Sequence, residues 1–221
     1  MKKTTNLNAK TILIVDDHPL VCHYLGNLIA ANPGQVLYGQ ANNLADAHQM
    51  LDKGSPDLAI IDISLGSGNG LDLIKRIKRR NPLTKTLVFS GHDETLYAPR
   101  VLRAGALGYV NKKDDLSHLT EAIEQVLNGK IWLNDAVSEQ LLHNLFQDEE
   151  VEVPSVSTLS NRELQVFEYI GRGMKTSDIA GQLHLSIKTI ETHREKIKKK
   201  LRLRSGHELT RYAMQWIMEQ G

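Results

Sequence analysis

Three short, almost continuously apolar runs in this chain end on charge. Thr11-Ile12-Leu13-Ile14-Val15 is followed by Asp16 and Asp17, Leu58-Ala59-Ile60-Ile61 by Asp62, and Gly108-Tyr109-Val110 stops just short of Lys112. Apolar runs that do not alternate with polar residues read as strands covered on both faces, as in a parallel sheet. The carboxyl ends of such strands share one edge of the sheet, and sites form along that edge. Three carboxylates gathered there would repel one another without a cation. Oxygen donors alone suit Mg²⁺, which keeps several waters and leaves room for a phosphoryl group. The constellation points to metal-assisted phosphoryl chemistry with an aspartate as acceptor.

The pattern around these runs specifies the architecture. Strands are expected at 11–15, 36–40, 58–61, 86–89 and 107–110, and helices near 19–31, 44–53, 70–79, 95–104 and 115–128. Strict alternation of this kind implies right-handed crossovers and a doubly wound, five-stranded parallel α/β sheet. Asn32-Pro33-Gly34, Gly54-Ser55-Pro56 and Asn81-Pro82 punctuate the turns. Pro99 implies that the fourth helix starts near Ala98 or is kinked there.

Beyond residue 130 the character changes. A short helix is expected over 136–146, then an acidic extended connector from Gln147 to Pro154. Ser160 and Glu163 are spaced as a capping box. Helices are expected to follow from Thr176, from Ile187 to about Leu201 and from Glu208 to Met218, making a second, all-α domain. The domains expected are therefore 10–130, a connector 131–155, and 156–221. From Val156 to Gly221 there are 12 Lys/Arg against 7 Asp/Glu, while the remainder holds 15 against 19. A basic carboxyl-terminal third suits an anionic partner such as nucleic acid. No run approaches the roughly 18 apolar residues of a membrane helix, and a cytoplasmic protein with no membrane partner is expected. The single cysteine, Cys22, excludes a disulfide framework and reads as a small buried hydrophobe.

Residues 10–128 resemble the receiver domain of bacterial two-component response regulators, a flavodoxin-like fold. Asp16-Asp17, Asp62, Gly70, Ser90, Tyr109 and Lys112 occur in that family's order and at its spacings. The resemblance implies Asp62 as phosphoacceptor. It also implies Asp16, Asp17, Asp62 and the Ser64 backbone carbonyl as Mg²⁺ ligands, and Lys112 as a cation for a phosphoryl oxygen. Ser90 would donate its hydroxyl to the phosphoryl group, and Tyr109 would be the aromatic that tracks the change. In the loop after the acceptor, Leu65 and Gly66 stand where many receivers have methionine and proline. Three glycines in five residues make that loop less constrained.

Residues 156–219 resemble the LuxR-type helix-turn-helix of the NarL/FixJ subfamily. The match runs through Leu159-Ser160-Asn161-Arg162-Glu163, Ile179-Ala180-Gly181-Gln182-Leu183, Leu185 to His193, and Lys200 to Ser205. The recognition helix would be 187–201, with Ile187, Ile190 and Ile197 in the core. Glu191, Thr192 and Glu195 match family positions that reach base edges. Lys188, Thr189, Arg194, Lys198 and Lys199 are placed for phosphates. His193 is expected to be packed or hydrogen-bonded within the domain. Leu209, Ala213 and Trp216 form one stripe, at the helix that commonly makes the dimer contact in this subfamily.

The resemblance implies a regulator rather than an enzyme: a transcription factor phosphorylated by a sensor histidine kinase, acting on promoter DNA as a homodimer, with RNA polymerase as a further partner. A phosphohydrolase would need a second carboxylate, but Asp62-Ile63-Ser64 lacks one. A regulator that binds DNA constitutively would not need the intact acidic site.

Overall fold

A computed structural model of the protein describes residues 9–66, 68–146 and 155–220. The basic residues 1–6 and the acidic stretch 147–154, expected as an extended connector, lie outside the described residues. The chain divides into two compact units, Met1–Asn144 and Leu145–Gly221.

The first unit carries β1 (Lys10–Val15), β2 (Gln35–Ala41), β3 (Leu58–Ile61), a short antiparallel hairpin of β4 (Ser64–Leu65) and β5 (Gly68–Asn69), β6 (Lys85–Ser90) and β7 (Gly108–Asn111). The five long strands are parallel, in the order β2-β1-β3-β6-β7. Each lies within one residue of its expected position. Ile12, Leu13, Ile14 and Val15 of β1 are fully buried, as an apolar run covered on both faces requires. The unit's long helices are α1 (Pro19–Ala31), α2 (Leu44–Lys53), α3 (Gly70–Arg80), α4 (Glu94–Ala104), α5 (Leu116–Leu127) and α6 (Asp135–Phe146). α1 and α5 close one core through Cys22, Leu25, Ile29, Leu119, Ile123 and Val126. α2, α3 and α4 bury Leu51, Leu73, Ile77 and Val101.

Strand order reverses at β1, so the ends of β1 and β3 flank a crevice, the usual place for a site in such sheets. α4 begins at Glu94, not near Ala98. Its first turn is held by Asp93, which accepts from the Leu96 amide, and by the buried Tyr97 and Ala98. Pro99 therefore sits inside the helix and costs it one backbone bond.

The chain does not leave the sheet at residue 130. Trp132 pairs in parallel with Gly108 on the free side of β7, its amide donating to the Leu107 carbonyl at 2.9 Å and its carbonyl accepting from the Tyr109 amide at 3.3 Å. The Trp132 indole joins the α1/α5 core. Asn134 caps α6 by accepting from the Val137 amide, and its side-chain amide donates to Glu94 in the first turn of α4.

The second unit begins with a single 3₁₀ turn, Val156–Thr158, followed by α7 (Asn161–Gly171), α8 (Thr176–Gln182), α9 (Ile187–Lys200) and α10 (Gly206–Gln220). The capping box forms as its spacing implies: the Ser160 amide donates to Glu163 Oε2 at 2.7 Å, and the Glu163 amide to Ser160 Oγ. Leu164, Phe167, Ile179, Ile190, Ile197, Leu209 and Ala213 are buried at its centre. Ile187 is not: 56% exposed, it occupies the first helical position of α9, ahead of the turns that Ile190 and Ile197 bury. Among the described residues no helix is long and apolar enough to cross a membrane.

Candidate acidic site and nucleic-acid interface

Asp16 and Asp17 leave the end of β1, Asp62 the end of β3, Ser90 closes β6, and Lys112 follows β7. The crevice brings four of these side chains into one ion cluster. Lys112 Nζ lies 2.7 Å from Asp16 Oδ2 and 2.8 Å from Asp62 Oδ2, and Ser90 Oγ donates to Asp62 Oδ1 at 2.6 Å. Asp16, Asp62 and Ser90 are buried. Burial opposes the Lys112 charge, but the Asp62 carboxylate and the bonds to both aspartates outweigh it and hold its pKa above the usual lysine value.

Asp17 completes the cluster from outside. Its Oδ2 accepts from the Gly66 amide at 2.8 Å, while its buried Oδ1 takes no hydrogen bond. This oxygen lies 3.0 Å from His18 Nδ1, and its grouping with two buried carboxylates suits a divalent cation. Asp16, Asp17, His18 and Asp62 each offer a donor atom within 4.8 Å of the others. The cluster is compatible with a divalent cation held mainly by oxygen.

The glycine-rich loop is pinned by its neighbours. Gly66 adopts φ +52, which aims its amide at Asp17. A Cβ at Gly70 would lie 2.1 Å from the Asp62 carbonyl oxygen, so no side chain fits there. Two of the loop's glycines, Gly66 and Gly70, are thus set by backbone conformation and close approach.

Tyr109 is buried, its hydroxyl donating to the His92 carbonyl at 2.7 Å. Burial first, and then the Asp62 charge, raises its pKa. Asn111 donates to the same carbonyl at 2.9 Å, and the His92 ring is 2.8 Å from Ser64 Oγ. His92 thus ties the loop after β6 to the loop after Asp62. Sequence reasoning missed His92, Asn111 and His18. His18 could have been found, because it adjoins the aspartate pair. His92 could not, because its partner Ser64 is 28 residues away. Cys22 is buried, as expected, with its thiol directed at the Asp16 carbonyl. Burial, with the nearby Asp16 charge, raises its pKa.

On α9, Lys188, Glu191, Thr192, Glu195 and Lys199 are exposed, and so is Lys196, which sequence reasoning left out. Thr189 is half-buried, bonded to the capping Ser186. Arg194 and Lys198 are largely covered and face acids one turn back: Arg194 Nε is 3.6 Å from Glu191, and Lys198 Nζ 2.8 Å from Glu195. His193 is half-buried with Nδ1 unpartnered; burial, and then Arg162, lowers its pKa. The stripe expected to meet a second copy faces inward. Leu209 and Ala213 are fully buried, because α10 packs on α7, and Trp216 is half-buried with its ring 5.7 Å from that of Phe167. The exposed apolar residues of α10 are Met214 and Met218 instead.

Residues 12–124 match the family model of the response regulator receiver domain, and residues 157–213 that of the bacterial regulatory proteins of the luxR family. A transcriptional-regulator candidate of Pseudomonas aeruginosa is 38% identical over 194 residues, 88% of this chain and 92% of its own length. The response regulator GacA of the same organism is 31% identical over 203 residues, 92% of this chain and 94% of its own. Among solved structures, RcsB from Salmonella enterica serovar Typhimurium, bound to promoter P1flhDC in the presence of the phosphomimetic BeF3⁻, superposes with a TM-score of 0.58 at 25% identity, covering 93% of this chain and 98% of that one.

Proposed function

Since the chain belongs to the response regulators of two-component systems, joining a receiver to a LuxR-type DNA-binding domain, we propose that Asp62 is its phosphoryl acceptor and that an acyl phosphate there governs promoter binding. The observation that carries this reading is the ion cluster: Lys112 spans Asp16 and Asp62 while Ser90 holds the other oxygen of Asp62.

Both oxygens of Asp62 are engaged, so attack on phosphorus must release one donor. The chemistry is an exchange: an Asp62 oxygen bonds to phosphorus, and the bond from phosphorus to the donor's nitrogen or oxygen breaks. The Ser90 hydroxyl and the Lys112 ammonium then transfer to the new phosphoryl oxygens. Asp16, Asp17, Asp62 and the Ser64 carbonyl would hold Mg²⁺, which when bound supplies a charge that draws electrons from the phosphoryl oxygens. Tyr109 and His92 keep the loop after β6 closed behind Ser90.

The donor is a sensor histidine kinase and the target is promoter DNA, met by a homodimer in the cytoplasm. Lys188, Thr189 and Lys199 meet phosphates, with Arg194 and Lys198 joining once freed from their acids. Glu191, Thr192 and Glu195 face base edges. RNA polymerase is the further partner. Trp216 is retained at the dimer contact only at its exposed edge, and Leu209 and Ala213 are not.

The test is to incubate the protein with acetyl phosphate and Mg²⁺. One phosphoryl group per chain is expected, with none on Asp62→Asn and a rise in promoter affinity only in the labelled protein. Undiminished labelling of Asp62→Asn would reject the assignment.

A further inference from the structure

Of the three side chains set against base edges, two stand apart by their place on α9. Lys188, Thr192, Glu195 and Lys199 follow one another at intervals of four, three and four residues and are all exposed, which puts them on one line along the helix. That line lies opposite Ile190 and Ile197, which are fully buried. Glu191 stands beside it, over Arg194.

The ends of the line are cations and its middle is not. Thr192 Oγ1 donates to the Lys188 carbonyl at 2.9 Å. That bond spends the hydroxyl proton on the helix and leaves the methyl group and an acceptor oxygen. The Glu195 side chain is 68% exposed, and even while Lys198 Nζ holds its Oε1 at 2.8 Å, Oε2 is left to accept. Between two lysines, then, α9 offers a methyl group and acceptors, but no donor.

We propose that Thr192 and Glu195 make the protein prefer a thymine and a cytosine on adjacent base pairs of its DNA site, Thr192 covering the thymine C5 methyl group and Glu195 accepting from cytosine N4. The inference rests on the reading of α9 as the recognition helix. In the major groove guanine presents only acceptors, and adenine sets its N7 acceptor beside its N6 donor, so both repel a carboxylate; cytosine presents its N4 donor alone, and thymine is the one base with a methyl group. Three residues rise about 4.5 Å along a helix, against about 3.4 Å for a step along the DNA, so the two contacts fall on neighbouring pairs. Lys188 and Lys199, about 16.5 Å apart along the helix, are left for phosphates to either side of that step.

The experiment selects binders from a pool of DNA duplexes with a randomised centre, using the full-length protein with and without prior acetyl phosphate. Enrichment of a motif holding adjacent T·A and C·G pairs is expected. Glu195→Gln should turn the preference at the cytosine to adenine, which a carboxamide pairs bidentately, with a discrimination of about 5- to 150-fold. Deoxyuridine in place of that thymidine removes the C5 methyl group alone. It should weaken the natural protein about fourfold, the worth of one buried methyl, and leave Thr192→Ser, which keeps the hydroxyl and lacks the methyl, unaffected. A Glu195→Gln motif identical to the natural one, or deoxyuridine tolerated by the natural protein, would overturn the proposal while leaving the second unit a reader of DNA by other side chains. Enrichment of no sequence in either state would overturn the reading of α9 as the recognition helix, and this proposal with it.

Discussion

At the scale of single residues, the receiver's geometry depends on what Gly70 lacks. A Cβ there would meet the backbone of Asp62 and Ile63, and backbone cannot move aside as a side chain can. Gly70→Ala should destabilise the first unit by about 2 kcal/mol or more, read as a lower urea midpoint, and should slow phosphoryl uptake because Asp62 shifts with its carbonyl. His92 makes a different prediction. Removing its bond to Ser64 should loosen the two loops over Asp62 by about 1 kcal/mol, which is about fivefold in a rate. His92→Ala is therefore expected to shorten the phosphoryl half-life about fivefold while lowering the melting temperature by only about 4–8 °C. The gathering of Asp62, its acidic neighbours and Lys112 was legible from sequence because each follows a buried run, and strand ends share an edge. His92 was not, because its carbonyl serves Tyr109 and Asn111 through the backbone, and backbone acceptors carry no residue identity.

Among elements, the link between α7 and the end of α9 runs through one carboxylate. Glu163 caps its own helix and accepts from Lys200 Nζ at 2.7 Å. Burial alone would raise its pKa, but Lys200 and the Ser160 bonds outweigh burial and hold it below the usual glutamate value. The unfolded chain therefore binds the more protons. The stabilisation is present above the unfolded value, about 4.3, and is lost as pH falls through the folded one. Glu163→Gln should lower stability by about 2 kcal/mol near neutral pH, and the difference from the natural protein should close as pH falls below the unfolded value. Thermal melts of the two proteins across that range measure it. Helix and strand positions were readable because period and punctuation agree. Which way a stripe faces was not: a repeat of three and four marks Leu209, Ala213 and Trp216 as one side of α10, but not whether α7 or a second copy covers it. Ile187 failed for a related reason, since the first turn of a helix has core on only one end.

Across the whole molecule, a net acidic remainder and a basic carboxyl-terminal part share one chain. Phosphorylation can alter DNA binding only as far as it favours one arrangement of the two units over another, on the order of 1–3 kcal/mol for couplings of this kind. Sedimentation before and after acetyl phosphate should show dimers gained, alongside a rise of about 5- to 150-fold in promoter affinity; affinity that rises with no change in mass would place the switch elsewhere than in self-association. Two-unit organisation was legible from composition, because charge and hydrophobic period both change after residue 130. The place where the first unit ends was less so, since one tryptophan's backbone pairing leaves no periodic trace. Trp132 occupies the free side of β7, and a fragment cut at residue 130 would bare that row of amides and carbonyls. Unpaired sheet borders of this sort recruit one another. Such a truncated receiver would clump or pair through its severed rim, and any dimer it formed would be a product of the scissors rather than of the signal.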